Sequence, residues 1–281
     1  MRHINGKAAL ALSSGVLAAV GLRKTLTVRS YALSTKKLTA PVRVAVLTDL
    51  HSTFYGAKQT HLIRVLNQQA PDAVLMAGDM ADDVVPHQGI EALLEHIGGR
   101  YPCFYATGNH ECRSGELENI KAFFRAQGVT VLAGQSVQLA VRDQYLEIAG
   151  VDDPVCLETT EDDWETQLAA CQAQSRVGVY QILLTHRPER AEAYRTSGFD
   201  LVLAGHAHGG QVRIPGLING LFAPQQGILP RYAGGRYDLG STTLIVSRGL
   251  CKNYLPRVFN PPELVIVDIL PEGGKRSKKR W

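Results

Sequence analysis

Residues 43–51 read Arg43-Val44-Ala45-Val46-Leu47-Thr48-Asp49-Leu50-His51. The run Val44 to Leu47 is apolar and of strand length, and it delivers Asp49 and His51 to the loop beyond it. The same device recurs four times. The run 73–77 leads into Gly78-Asp79-Met80-Ala81-Asp82, and 101–107 leads into Gly108-Asn109-His110-Glu111. The run 181–185 ends at His186, and 201–204 leads into Gly205-His206-Ala207-His208. Short apolar runs closed by Gly and polar residues read as buried strands. Helical spacing separates the early ones, at 58–69, 90–97 and 116–127. Three strands follow (129–133, 136–141 and 145–150), then helices at about 161–175 and 188–196. Strands at 242–247 and 263–269 close the body, and 25–34 reads as an edge strand. Alternating β and α followed by mixed β predicts an α/β fold with two packed mixed β-sheets flanked by helices. Ligands in such folds bind beyond the carboxyl ends of the strands, where each of these five polar segments falls.

The chain has 281 residues, 45% hydrophobic and 20% charged, which is globular composition. A mean hydropathy of −0.07 excludes a polytopic membrane protein. The formal charge of +4 hides an asymmetry. Residues 1–37 hold seven Lys and Arg and no acid, and residues 275–280 hold five more. The rest carries eighteen bases against twenty-six acids. Basic ends are either solvated tails or segments that lie on an anionic bilayer. Basic residues are not interleaved with aromatics along the body, so nothing suggests nucleic acid. Five cysteines without a CxxC pair read as free thiols.

Ala8 to Leu22 is uncharged, with Lys7 before it and Arg23-Lys24 after it. Its length suits a signal-peptide core, and a buried helix is the bland alternative. We read it as an uncleaved signal anchor, which makes the protein membrane-associated without fixing which side the body faces. The division expected is 1–37 as anchor and basic juxtamembrane segment, 38–272 as catalytic domain, and 273–281 as basic tail.

Singly, Asp-x-His or Gly-Asp after a strand is a turn or a helix cap. Jointly the segments decide, because five of the nine histidines follow apolar runs directly. They supply enough oxygen and imidazole groups to hold two ions side by side, a device for cleaving phosphate esters. Mixed N and O ligation without sulfur suits Mn, Fe, Zn or Co.

This set of segments, in this order and spacing, resembles the calcineurin-like metallophosphoesterases over about residues 40–270. The stretches Gly150 to Pro154, Gly209 to Pro215 and Val246 to Leu250 resemble a bacterial, membrane-associated branch. Some members of that branch are similar to enzymes that hydrolyse UDP-2,3-diacylglucosamine at its pyrophosphate. The resemblance implies a four-layer αββα sandwich that hydrolyses phosphoesters or pyrophosphates with two divalent ions. It implies that Asp49, His51 and His208 hold one ion, that Asn109, His186 and His206 hold the other, and that Asp79 bridges them. His110 would donate to a phosphate oxygen or protonate the leaving group, and Asp82 would orient His110 unless it is only a cap. Arg187 and Arg248 are candidate phosphate clamps by their guanidinium geometry, though salt bridges explain either.

Residues 209–233 are Gly- and Pro-rich and carry Val212, Ile214, Leu217, Ile218, Leu221, Phe222, Ile228 and Leu229. They either fold over a small core of their own or form an apolar lip for an acyl chain or bilayer. With the anchor, the lip favours a lipid-linked substrate. The alternatives are a soluble nucleotide or cyclic-nucleotide phosphodiesterase, and a non-catalytic scaffold. The scaffold is disfavoured because the ligand set and His110 are complete.

Overall fold

The computed structural model describes residues 21–22, 24–158, 162–252 and 256–273. The expected signal anchor lies outside the described residues except for its last two positions, Gly21 and Leu22, and so does the basic tail beyond residue 273. No helix of the described residues is long and apolar enough to cross a membrane.

Two six-stranded mixed sheets form the body. The first runs β1 (Thr27–Thr35), β14 (Glu263–Pro271), β2 (Val42–Leu47), β3 (Ala73–Ala77), β4 (Cys103–Ala106), β5 (Val129–Val131). The second runs β12 (Gly235–Asp238), β13 (Thr243–Val246), β9 (Leu201–Ala204), β8 (Gln181–Leu184), β7 (Gln144–Gly150), β6 (Gln135–Val141). Strands β2 to β5 are mutually parallel, as are β7, β8, β9 and β13. The expected edge strand is β1, which pairs with β14 alone.

The central strands β2, β3, β4, β8 and β9 are apolar on both faces because each face is covered. In β2, Val42, Val44 and Val46 point into the core between the sheets, while Ala45 and Leu47 point the other way. Ile182 and Leu184 of β8 and Leu201 and Leu203 of β9 meet them from the second sheet. Outside the first sheet, helices Thr60–Gln69, Gln88–Ile97 and Leu117–Ala126 bury Leu62, Leu66, Leu93, Ile97, Ile120 and Phe124. Outside the second sheet, Trp164, Leu168 and Tyr194 come from helices Trp164–Ala173 and Ala191–Arg195. The layers are therefore helix, sheet, sheet, helix, as expected. Each fully buried Leu or Val contributes ~1.5–3 kcal/mol of transfer free energy.

The sequence pattern did not reveal β12 or a small hairpin of β10 (Phe222–Ala223) and β11 (Gly227–Ile228). Both lie in Gly-rich chain where alternation is too short to read.

Candidate metal centre

Loops leave the carboxyl ends of β2, β3, β4, β8 and β9 and carry Asp49, Asp79, Asn109, His186 and His206 respectively. The turns are sharp. Asp49, His51, Asp79, His206 and His208 all take left-handed backbone, with φ between 46° and 68°. Such conformations cost about 1–3 kcal/mol each in non-glycine residues and persist where surroundings enforce them. The enforcement here is visible. The Asp49 N–H donates to the Gly78 carbonyl at 3.0 Å, and the His51 N–H to that of Asp79 at 3.0 Å. The His206 N–H donates to Asp49 Oδ1 at 2.8 Å, and Asn260 Nδ2 donates to the His208 carbonyl at 2.7 Å.

The structure brings six of the seven expected ligands together, all but Asn109. Ligand atoms of Asp49, His51, Asp79 and His208 lie within 4.8 Å of one another, and so do those of Asp79, His186 and His206. Asp79 belongs to both groups. Its Oδ2 is 3.0 Å from His186 Nε2 and 3.6 Å from His51 Nε2, and Asp49 Oδ1 is 3.6 Å from His208 Nε2. The His110 N–H donates to Asp79 Oδ1 at 2.9 Å, which seats Asn109 beside the shared carboxylate.

Asp49 Oδ2, His51 Nε2 and Asn109 Oδ1 are buried without a hydrogen-bond partner among the described residues. Buried polar atoms are nearly always paired, so a cluster of orphans facing one another fits cations between them. His186 Nδ1 donates to the Ala77 carbonyl at 2.9 Å, and this tautomer turns Nε2 inward as a ligand. The donors fit a pair of divalent ions.

The charges agree with this. Burial would raise the Asp79 carboxyl, but the His186 charge outweighs it and holds Asp79 well below the usual carboxylate range. Burial would lower His186, but Asp79 and then Asp49 push it up to about 10. His51 is raised against its burial, first by its bond to Asp82. Burial takes His206 down to about 4 and His208 down to about 3. Ligation requires neutral imidazole, so an ion bound there would compete with the proton that Asp79 favours on His186.

The flanking residues correct several expectations. Asp82 does not orient His110. Its Oδ2 lies 2.9 Å from His51 Nδ1 and 3.7 Å from His110 Nδ1. The neighbouring Asp83 takes that place, with Oδ1 2.7 Å from His110 Nδ1. Oδ1 of Asp82 accepts from the N–H groups of Val84 and Val85, which turns the chain and swings Asp83 across to His110. His110 meets His51 edge to face at 4.4 Å between ring centroids, so it stands over the first ligand group.

Arg187 and Arg248 are not free to clamp phosphate. Arg187 is buried in a bidentate pair with Asp153, at 2.5 and 2.7 Å, and its Nη1 lies 3.0 Å from His206 Nε2. Arg248 is buried against Glu263 at 3.1 Å and donates to the Gly234 carbonyl at 3.2 Å. Two of the five cysteines are not free thiols either. Cys112 and Cys156 form a disulfide between helices Asn109–Arg113 and Pro154–Leu157. They are 44 residues apart and no local motif marks them.

Two further contributors escape the sequence reading. Glu111 is fully buried and accepts from the N–H groups of Gly108, Asp79, Met80 and Ala81 at 2.6–3.0 Å. It ties the β3 and β4 loops together, and its place in Gly-Asn-His-Glu is the signal that could have found it. Gln225, at the turn of the β10–β11 hairpin, has Oε1 2.5 Å from His206 Nε2. No spacing rule points to it.

Residues 42–210 match the family model of the calcineurin-like phosphoesterases. The chain is 33% identical over 252 residues to an uncharacterized metallophosphoesterase of Campylobacter jejuni, covering 88% of this chain and 64% of that one. It is 28% identical to phosphodiesterase YaeI of Escherichia coli, covering 82% and 83%. In fold it resembles TT1561 of Thermus thermophilus, with a TM-score of 0.51 at 13% identity over 75% of this chain and 91% of that one. It also resembles the NAD nucleotidase of Haemophilus influenzae, with a TM-score of 0.51 at 14% identity over 75% and 45%. With a family model spanning more than half its length and the ligand loops inside or beside that span, this chain belongs to the calcineurin-like phosphoesterase family.

Proposed function

We propose that this protein is a metal-dependent hydrolase of phosphoesters or pyrophosphates, and that its substrate is lipid-linked and met at a membrane surface. The observation that carries the hydrolase reading is the set of buried, unpartnered ligand atoms around Asp79. Two divalent ions held there would withdraw electron density from a phosphoryl group and lower the pKa of a water to roughly 7. The chain's own residues do the rest. Asp79 is positioned for both ions by the Glu111 carboxylate beneath its loop and by His110 N–H on its Oδ1. Asp83 holds Nδ1 of His110, which leaves Nε2 as the atom that passes a proton to the leaving oxygen or steadies a phosphoryl oxygen. The His110 side chain is 28% exposed, so a substrate can reach it.

Apolar side chains left in solvent by the segment that follows His208 support the lipid-linked reading. Leu217 is 78% exposed and Ile228 76%. Membrane association through residues 8–22 belongs to the same proposal. A second reading, hydrolysis of soluble phosphodiesters, is supported by the similarity to the Escherichia coli protein named a phosphodiesterase. Metal analysis of the purified chain, followed by turnover on monoesters, diesters and lipid-linked pyrophosphates in micelles, tests both. The proposal expects two ions per chain and a preference for the lipid substrate. Faster turnover of soluble nitrophenyl esters or nucleotides than of any micellar substrate would overturn the lipid-linked reading.

A further inference from the structure

The segment 211–233 does not bury most of its large apolar residues in a core of its own. Ile214, Leu217, Leu221, Phe222, Ile228 and Leu229 are all exposed. They are presented on a braced scaffold. The Leu221 N–H donates to the Gly210 carbonyl at 2.9 Å, and the Leu229 N–H to the Leu221 carbonyl at 2.8 Å. Phe222 pairs with Ile228 across the β10–β11 hairpin. The segment follows closely on the ligand His208, and Gln225 at the hairpin turn contacts the ligand His206. Elsewhere near the candidate ligands in sequence, exposed Phe54 lies three residues beyond His51 and exposed Val84 directly follows Asp83.

Two further facts indicate what covers this face. The first is charge. No Asp or Glu occurs from residue 201 to 237, although the body as a whole is acidic, while Arg213 and Arg231 do occur; Arg236 is paired with Asp238 at 2.8 Å. The second is where the chain enters the described structure. The Gly21 carbonyl accepts from the Phe259 N–H at 2.6 Å, and the neighbouring Val258 carbonyl accepts from the Arg213 N–H at 2.9 Å, at the root of the patch. The described end of the uncharged run, Gly21 and Leu22, therefore meets the body next to the strip that holds Arg213, and Leu22 is itself 51% exposed.

We infer that residues 214–229 form a bilayer-docking surface for anionic phospholipid, which lays the metal centre against the membrane. The inference rests on the proposed action at a lipid surface. Burial of apolar side chains drives insertion, the absence of carboxylates avoids repulsion from lipid phosphates, and each Lys or Arg at the surface adds attraction. A substrate headgroup then meets the ligand loops without its acyl chains leaving the bilayer.

The test uses the full chain with Ile228→Trp, mixed with vesicles of phosphatidylcholine and phosphatidylglycerol whose acyl chains are brominated. Tyr145→Trp, at the far end of β7, serves as the control, and the unsubstituted chain corrects for Trp164 and Trp281. The expected result is a blue shift and quenching at position 228 and neither at position 145. Weaker quenching is expected in pure phosphatidylcholine and when Leu217→Glu is added to the reporter chain. Water-like, unquenched emission at 228 from vesicle-bound protein overturns the proposal. So does apolar emission before vesicles are added, which would mean that residues 1–20 or a second copy already cover the patch. Turnover of any of the soluble monoesters and diesters and micellar lipid-linked pyrophosphates, followed alongside, reports on the hydrolase reading independently. Its absence with quenching intact would sink that reading and leave the surface standing.

Discussion

Replacing Asp83 separates the chemistry of His110 from the grip on the ions. Asp83→Ala removes the carboxylate 2.7 Å from His110 Nδ1 and leaves His51 untouched, because His51 Nδ1 is held by Asp82 at 2.9 Å. A hydrogen bond to a charged group is worth about 1.5–3 kcal/mol. With the Asp83 side chain 23% exposed, about 2 kcal/mol is the appropriate figure, or a fall in kcat of roughly 30-fold. Asp83→Asn keeps an acceptor oxygen and loses only the charge, so its fall is smaller, about 3–10-fold. KM and metal content stay as they were. Asp82→Asn behaves differently. Its Oδ1 can still accept from Val84 and Val85, but the new amide faces His51 Nδ1 with donors. His51 must then carry its proton on Nε2, the ligand atom, and metal affinity drops about 10–100-fold. The assay is steady-state turnover on a soluble ester across a metal titration, with bound metal measured in parallel. If Asp82→Asn lowers kcat at saturating metal while Asp83→Ala leaves it unchanged, the two aspartates serve the opposite histidines and the reasoning fails.

Gly108→Ala should abolish metal binding, because its Cβ would lie 2.2 Å from Asp79 Oδ1 and 2.4 Å from the Asp79 N; metal analysis of the folded variant checks this. Glu111→Gln places amide hydrogens against backbone donors in a site with no exposure, costing about 3 kcal/mol; thermal unfolding should show a Tm lower by roughly 6–12 °C. Replacing Cys112 and Cys156 together with Ser opens a loop of 44 residues, and the chain-entropy model gives about 4 kcal/mol as an upper figure; denaturant unfolding of the double variant against the oxidised parent measures it.

The candidate ligands were legible because each stands within four residues of the end of a buried strand, and strand ends are where apolar runs stop. Asp49, Asp79 and His186 needed no knowledge of which strands pair. The fold class was legible for the same reason: unbroken apolar runs such as Val44 to Leu47 require cover on both faces. What the sequence concealed depends on side-chain direction over long separations. Asp82 and Asp83 differ by one position, and the N–H groups of Val84 and Val85 decide which histidine each meets. Arg187 and Arg248 resemble anion binders until Asp153 and Glu263, 34 and 15 residues away, are seen to claim them. The Cys112–Cys156 bond and the Gln225 contact are equally non-local.

The covalent link between Cys112 and Cys156 is lopsided with respect to the two halves of the centre. Cys112 shares a single helical turn with Asn109, and Cys156 follows the Asp153 whose partner Arg187 abuts His206. The family resemblance implies that Asn109 and His206 would hold the same ion, and among the described residues no second disulfide fastens Asp49, His51 and His208. Thiol reductants should therefore act unevenly: the loops that carry Asn109 and Asp153 loosen before those that carry Asp49, His51 and His208.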